Sequence, residues 1–100
     1  MAKRRIIWSP RAKLDFYHIL DFYYKRNGTK AYSIKLNSIV RNSIRLLEKH
    51  PEIAIRTDVK NIRNLIVGDL GIFYEIRPET IEIITIWDSR QDPEKLDLKK

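Results

Sequence analysis

One hundred residues with 43% hydrophobic content make one domain, residues 1–100, around a single modest core. The absence of cysteine excludes disulfides, thiolate zinc sites and cysteine nucleophiles. A formal charge of +7 favours anionic partners such as nucleic acid, the ribosome or an acidic protein.

The basic start Lys3-Arg4-Arg5 is followed by only Ile6-Ile7-Trp8 before Ser9-Pro10. That apolar run is too short for a signal-peptide core or a membrane span, so a cytoplasmic protein with no membrane partner is expected. Residues 5–8 read as a short β-type run. Ser9 then offers an N-cap, and Pro10 takes the first helical position, where a missing N–H costs nothing. Ala12, Phe16, Ile19 and Tyr23 recur on one helical face with Leu20 beside them, and Asn27-Gly28 supplies the stop. Thr29 can cap a second helix whose buried stripe would be Tyr32, Leu36, Ile39, Val40, Ser43, Ile44 and Leu47. Pro51 ends it at His50, because the residue before a proline avoids helical geometry. The spacing predicts an αα-hairpin over residues 9–50.

Residues 52–60 read as a connecting loop. Three β-rich runs follow, divided by Gly68-Asp69 and Pro78-Glu79, and form an antiparallel meander. So small a sheet cannot stand alone, so the expected fold is α+β in the order β-α-α-β-β-β, the meander packed on the helices. A two-residue turn at Gly68-Asp69 sets Val67 opposite Leu70, Leu65 opposite Ile72 and Arg63 opposite Tyr74. Pro78-Glu79 suits a longer or bulged turn, since proline cannot take positive φ. One face then holds Leu65, Val67, Leu70, Ile72, Tyr74 and Ile76, and belongs against the helices. The other holds Ile62, Asn64, Ile66, Gly71, Phe73, Glu75 and Arg77. In the last strand Ile81 and Ile83 point one way, Ile84 and Ile86 the other. A strand apolar on both faces is normally covered on both, so the second face is expected to be covered from outside this chain.

Four segments in this order resemble the RelE/ParE superfamily of toxins from bacterial type II toxin–antitoxin systems. They are Trp8-Ser9-Pro10-Arg11-Ala12, Leu47-Glu48-Lys49-His50-Pro51-Glu52, Gly68-Asp69-Leu70-Gly71-Ile72-Phe73-Tyr74-Glu75-Ile76 and Ile84-Thr85-Ile86-Trp87-Asp88-Ser89-Arg90-Gln91-Asp92-Pro93. The likeness covers residues 5–96. It implies that nuclease members cut ribosome-bound mRNA with basic residues on the exposed sheet face and a His or Tyr near the C-terminus. Cleavage by 2′-hydroxyl attack needs a base and cations for the developing phosphorane charge. Here the basic positions correspond to Asn64, Ile66 and Gly71, Trp87 stands where many relatives carry histidine, and no tyrosine follows Arg90. The resemblance therefore points to the ParE-like side, whose members are associated with DNA gyrase and have no transferable catalytic residues.

The implied function is a growth-inhibiting toxin of a plasmid-stabilisation-type system. It would block DNA gyrase by binding, need no cofactor, and be neutralised by a cognate acidic antitoxin. A mostly disordered antitoxin tail would fold on it as a helix or as a strand added at a sheet edge. The alternatives are a RelE-like mRNA interferase, cutting mRNA on the ribosome without a metal, and a non-toxic basic binding module of the same fold. Enzymatic activity is left open. Arg63 and Arg90, each at a strand end, are the candidates for catalysis or target contact, against a structural reading as ion pairs with Glu75, Asp88 or Asp92. Asn64, Ile66, Phe73, Glu75, Trp87 and Asp88 form the expected target- or antitoxin-binding set. Arg41, Arg45 and Lys49 at i, i+4, i+8 make a basic stripe, for phosphate contact or simply a solvated face. His18 and His50 are the only histidines, and no metal site is expected. Tyr17, Phe22, Tyr23 and Tyr24, at helical spacing, read as core and rim packing.

Overall fold

A computed structural model describes residues 3–91, 96 and 98. Strand β1 (Arg5–Trp8) leads into α1 (Pro10–Asn27) and α2 (Ala31–Arg45), which a 3-10 turn (Leu46–Glu48) extends. Strands β2 (Ile55–Arg56), β3 (Ile62–Val67), β4 (Leu70–Ile76) and β5 (Thr80–Asp88) follow. The fold is α+β, with the αα-hairpin ahead of the meander as expected. The sheet is larger than expected, with the order β1-β5-β4-β3-β2. β1 joins one edge parallel to β5, and β2 joins the other antiparallel to β3. β2 lies inside the expected loop, and its two residues are too few to show a periodicity.

The start of α1 follows from the sequence chemistry. Ser9 Oγ accepts from the Ala12 N–H at 3.0 Å, Pro10 sits in the first turn, and Gly28 ends the helix at φ 73. Ala12, Phe16, Ile19 and Tyr23 are buried. Helix α2 departs from expectation at both ends. It begins after Lys30 without a side-chain cap, so Thr29 does not serve as one. Its buried face is Ser33, Leu36, Val40 and Ile44, whereas Tyr32 and Ile39 are exposed. The Ser33 hydroxyl donates to the Leu20 carbonyl at 2.7 Å and brings the serine to the helix contact. Tyr32 instead leans edge-on against Tyr23 with ring centroids 4.9 Å apart. Because α-geometry stops at Arg45, Lys49 leaves the helical register of Arg41 and Arg45, and the basic stripe is broken at its last member.

The β3–β4 register is the expected one, through Val67–Leu70, Leu65–Ile72 and Arg63–Tyr74. Gly68 supplies the turn's positive φ of 60. Leu70, Ile72 and Tyr74 enter the helix-side core, and Leu65, Val67 and Ile76 pack against it. β5 differs. Phe73 pairs with Thr85 but Tyr74 pairs with Ile83, so Ile84 is the extra residue of a β-bulge. The bulge resets the alternation. Ile86 returns to the helix-side core with Ile81 and Ile83, and Ile84 alone of the four joins the opposite face. The expected pairing of Ile84 with Ile86 is thereby corrected.

The covering of that opposite face is corrected too. Ile62, Phe73 and Ile84 form a second apolar cluster, and Trp87, Leu96 and Leu98 pack on it. The chain's own C-terminal leucines thus cover part of the face that was expected to need an outside cover. Ile66, 56% exposed, stays open.

Ser9 fastens the two layers together. Its N–H donates to the Ile83 carbonyl at 3.0 Å, and its hydroxyl donates to the Ile84 carbonyl at the bulge at 2.8 Å while capping α1. Ser9→Ala removes the cap and leaves a carbonyl at the bulge without its donor. The expected cost is about 1–2 kcal/mol, read from urea midpoints. An unchanged midpoint would show that neither bond matters.

Candidate functional site

Polar side chains converge where β5 ends against α1. A cleft of about 400 Å³ is lined there by Asp15, His18, Ile19 and Phe22 from α1, and by Ile86, Trp87, Asp88, Arg90 and Gln91 from the strand end. The strand end is held by the Ser89 N–H, which donates to the Asp69 carbonyl in the β3–β4 turn at 2.8 Å. The Gln91 N–H then donates to the Asp88 carbonyl at 2.9 Å and turns the chain.

Arg90 and Asp88 form a forked pair in this corner. Asp88 Oδ1 accepts from the Arg90 backbone N–H at 2.9 Å and from Nε at 3.0 Å, and Oδ2 accepts from Nη2 at 2.6 Å. Nη2 also donates to the Tyr23 hydroxyl. The guanidinium carbon lies 5.0 Å from the Tyr23 ring centroid and 5.4 Å from that of Phe22. The Arg90 side chain, acting against burial, holds the Asp88 carboxyl below its ordinary range. Beside this pair Thr85 Oγ1 donates to Asp15 Oδ2 at 2.5 Å, and Arg11 Nε stands 3.6 Å from the same oxygen. Of the structural partners expected for Arg90, Asp88 is realised, and Asp92 lies outside the described residues.

Arg63 has a different task. Its Nη1 donates to the carbonyls of Glu52 at 3.2 Å and Ala54 at 3.0 Å, while the Tyr74 hydroxyl donates to that of Pro51 at 2.6 Å. Together they tie residues 51–54 to the sheet. The expected partner Glu75 instead bonds Arg77 at 3.1 Å, and Arg77 also reaches Glu82 at 2.8 Å. The structure does not bring Arg63 and Arg90 together. Arg63 sits in the cross-strand row of Tyr74 and Ile83, whereas Arg90 lies beyond the row of Val67, Leu70 and Asp88 at the other end.

The remaining expected residues gather on the opposite sheet face. Asn64 stands across from Phe73, and Gly71 between Ile66 and Trp87, around a hollow of about 160 Å³. Phe73 is buried beneath its neighbours, so it is no open contact residue. Ile66 is exposed and Trp87 half-buried. Glycine at 71 answers to crowding: a Cβ there would lie 2.8 Å from Asn64 Oδ1 and 3.2 Å from the Phe73 ring. Asn64 Oδ1 is buried with no hydrogen-bond partner among the described residues. Gly71→Ala is expected to cost about 1 kcal/mol, because Asn64 must rotate and the ring must shift. Adding Asn64→Ala should recover most of it in a double-mutant cycle. Additive costs would mean that the two residues do not collide.

Of the basic stripe, Arg41 lies over the Trp8 ring, 5.0 Å from its centroid, with Nε donating to Asn37 Oδ1 at 2.9 Å. Arg45 Nη1 donates to Asn42 Oδ1 at 3.3 Å. Sequence reasoning missed the Arg41–Trp8 stack, which joins residues far apart in the chain. It also missed the Asp15–Thr85 bond, which joins α1 to β5 across 70 residues of chain. The Asp88–Arg90 pair had a signal in its close spacing. Among the described residues no three His, Cys, Asp or Glu side chains group as metal ligands, and no helix is long and apolar enough to cross a membrane.

Comparison with known proteins identifies the family. The family model described as ParE toxin of type II toxin–antitoxin system, parDE, matches residues 6–93. Among solved structures, a chain of the chromosomal ParDE TA system from P. aeruginosa is similar with a TM-score of 0.76. That likeness covers 86% of this chain and 96% of the other at 19% identity, and is a likeness of fold. No curated protein sequence matches.

Proposed function

Since the chain belongs to the ParE toxin family of type II toxin–antitoxin systems, we propose that it arrests growth by binding DNA gyrase and that a cognate acidic antitoxin neutralises it. One observation carries the preference for binding over cleavage. The sheet face on which a nuclease relative would present cations holds Asn64, Ile66 and Gly71, and crowding by Asn64 and Phe73 resists a longer side chain at 71. Arg90, the one basic position that matches the nucleases, has two of its side-chain nitrogens committed to Asp88. Cleavage by 2′-hydroxyl attack needs a poised base and cations free to meet the developing charge. A face on which the described residues leave no cation free suits adhesion to a protein. The net charge of +7 suits an acidic antitoxin, and a gyrase-directed role puts the toxin in the cytoplasm.

Brief induction followed by separate pulse-labelling of DNA, RNA and protein synthesis tests the reading. DNA synthesis should fall first, with a DNA-damage response and filamentation. Protein synthesis falling first, with codon-positioned cuts in mRNA, would establish the endonuclease alternative. Harmless induction would leave a non-toxic binding module.

A further inference from the structure

We propose that the hollow between β2 and the turn leading into β3 binds a terminal phosphate group, with Arg56, Lys60 and Arg63 as its cations. The site lies at the opposite end of the sheet from the Asp88–Arg90 corner, and its chemistry does not depend on gyrase being the target.

Strand pairing sets two arginines side by side. Arg56 stands directly across from Arg63 in the β2–β3 ladder, and like charges directly opposite one another on a sheet repel. Arg63 is held in place, since its Nη1 donates to the carbonyls of Glu52 at 3.2 Å and Ala54 at 3.0 Å. Its Nε and Nη2 bond to no described residue, which leaves one two-nitrogen edge of the guanidinium unspent. A tightly bonded turn brings Lys60 to the same place. The Thr57 N–H donates to the Ile62 carbonyl at 3.2 Å, and the Ile62 N–H donates to the Val59 carbonyl at 3.1 Å. The Val59 N–H donates to the Thr57 hydroxyl at 3.2 Å. Asn61 closes the turn at φ 66, in the left-handed region that asparagine tolerates better than most residues. Its carbonyl accepts from the Ile76 N–H at 2.9 Å, which ties the turn to β4.

The three cations border one hollow of about 440 Å³. Glu52 and Asp58 border it too, yet neither forms an ion pair with Arg56, Lys60 or Arg63. The repulsion between the opposed arginines is therefore not offset by the chain's own carboxylates, and an oxyanion from outside would offset it. Geometry selects which oxyanion. A carboxylate commits both of its oxygens to one guanidinium edge, and a phosphodiester likewise has only two free oxygens. A terminal phosphate has three. After taking the Arg63 edge it keeps one for Arg56 and Lys60, and it carries about two negative charges at neutral pH. Such a group comes on a free phosphate ester such as a mononucleotide, or on the 5′ end of a DNA strand.

NMR titration of the full chain at constant ionic strength tests this. The probes are inorganic phosphate, a 5′-mononucleotide, acetate, and a DNA duplex with and without 5′-phosphate. The Arg63 Nε–H and the backbone amides of Lys60 and Asn61 should shift saturably with inorganic phosphate and with the mononucleotide. Arg56→Gln with Lys60→Gln should raise the half-saturating concentration about tenfold. Arg41→Gln with Arg45→Gln, on α2, should leave it unchanged. Tighter binding of the mononucleotide than of the 5′-phosphorylated duplex would assign a free phosphate ester, and the reverse would assign a DNA end. Acetate or the unphosphorylated duplex binding as well as phosphate would overturn the choice of a terminal phosphate. The site itself would be overturned by the absence of a saturable shift, or by a half-saturating concentration indifferent to Arg56→Gln with Lys60→Gln.

Discussion

Arg90→Ala is expected to destabilise the folded chain by about 2–3 kcal/mol, more than an isolated surface ion pair contributes. The Arg90 side chain is 44% exposed, but that of its partner Asp88 is only 8% exposed. Alanine at 90 removes both side-chain bonds and the stacking on Phe22 and Tyr23, leaving the carboxylate the Arg90 backbone N–H and the Tyr23 hydroxyl. The variant Arg90→Ala/Asp88→Ala should be less damaged than the sum of the single changes, since the buried charge leaves with its partner. Acid dependence gives a second readout. The folded carboxyl titrates below its unfolded value of about 3.9. Its stabilisation is therefore present above that pH and lost as pH falls through the folded value. Urea midpoints at pH 7 and pH 3 should differ less in Arg90→Ala than in the parent chain. A loss under about 1 kcal/mol with the acid dependence retained would mean that the pair behaves as an exposed one.

Alkali should also unfold the chain through Tyr74. This side chain is fully buried, and burial pushes its phenol up to about 12 although the Arg63 charge pulls the other way. The unfolded phenol titrates near 10. The neutral phenol therefore favours the folded state fully below about pH 10, and that contribution disappears as pH rises through about 12, on the order of 2 kcal/mol. Urea midpoints between pH 9 and pH 12, with tyrosinate absorbance followed in parallel, measure it. Tyr74→Phe should cost about 1–2 kcal/mol at pH 7, because the Pro51 carbonyl loses its donor. It should also flatten the alkaline limb. Burial raises the Tyr23 phenol as well, so the difference between parent and variant isolates Tyr74.

The elements whose signals are local were legible in the sequence. Ser9-Pro10 and Gly28 bound α1, and Gly68-Asp69 fixed the register of β3 on β4. The bulge was not legible. Ile81, Ile83, Ile84 and Ile86 are the same residue type, so nothing in their order marks where the alternation resets. The rotation of α2 was hidden because a serine, polar by type, reaches the helix contact through one hydrogen bond to Leu20. The partial cover by Leu96 and Leu98 depends on contacts between distant parts of the chain. At the candidate site, spacing placed Asp88 within reach of Arg90. It could not show that Phe22 and Tyr23 of α1 would fix the guanidinium, or that Asp88 would be buried. The split of Arg63 from Arg90 followed from register, which assigns each to a different end of the sheet.

Inhibition of DNA gyrase by direct binding is read out by a supercoiling assay. Purified chain is added to gyrase, relaxed plasmid and ATP, and the plasmid products are resolved by electrophoresis. Supercoiling should be inhibited in proportion to added chain and cleaved plasmid should accumulate, with both effects reversed by the cognate antitoxin. Undiminished supercoiling at a molar excess of folded chain would contradict it.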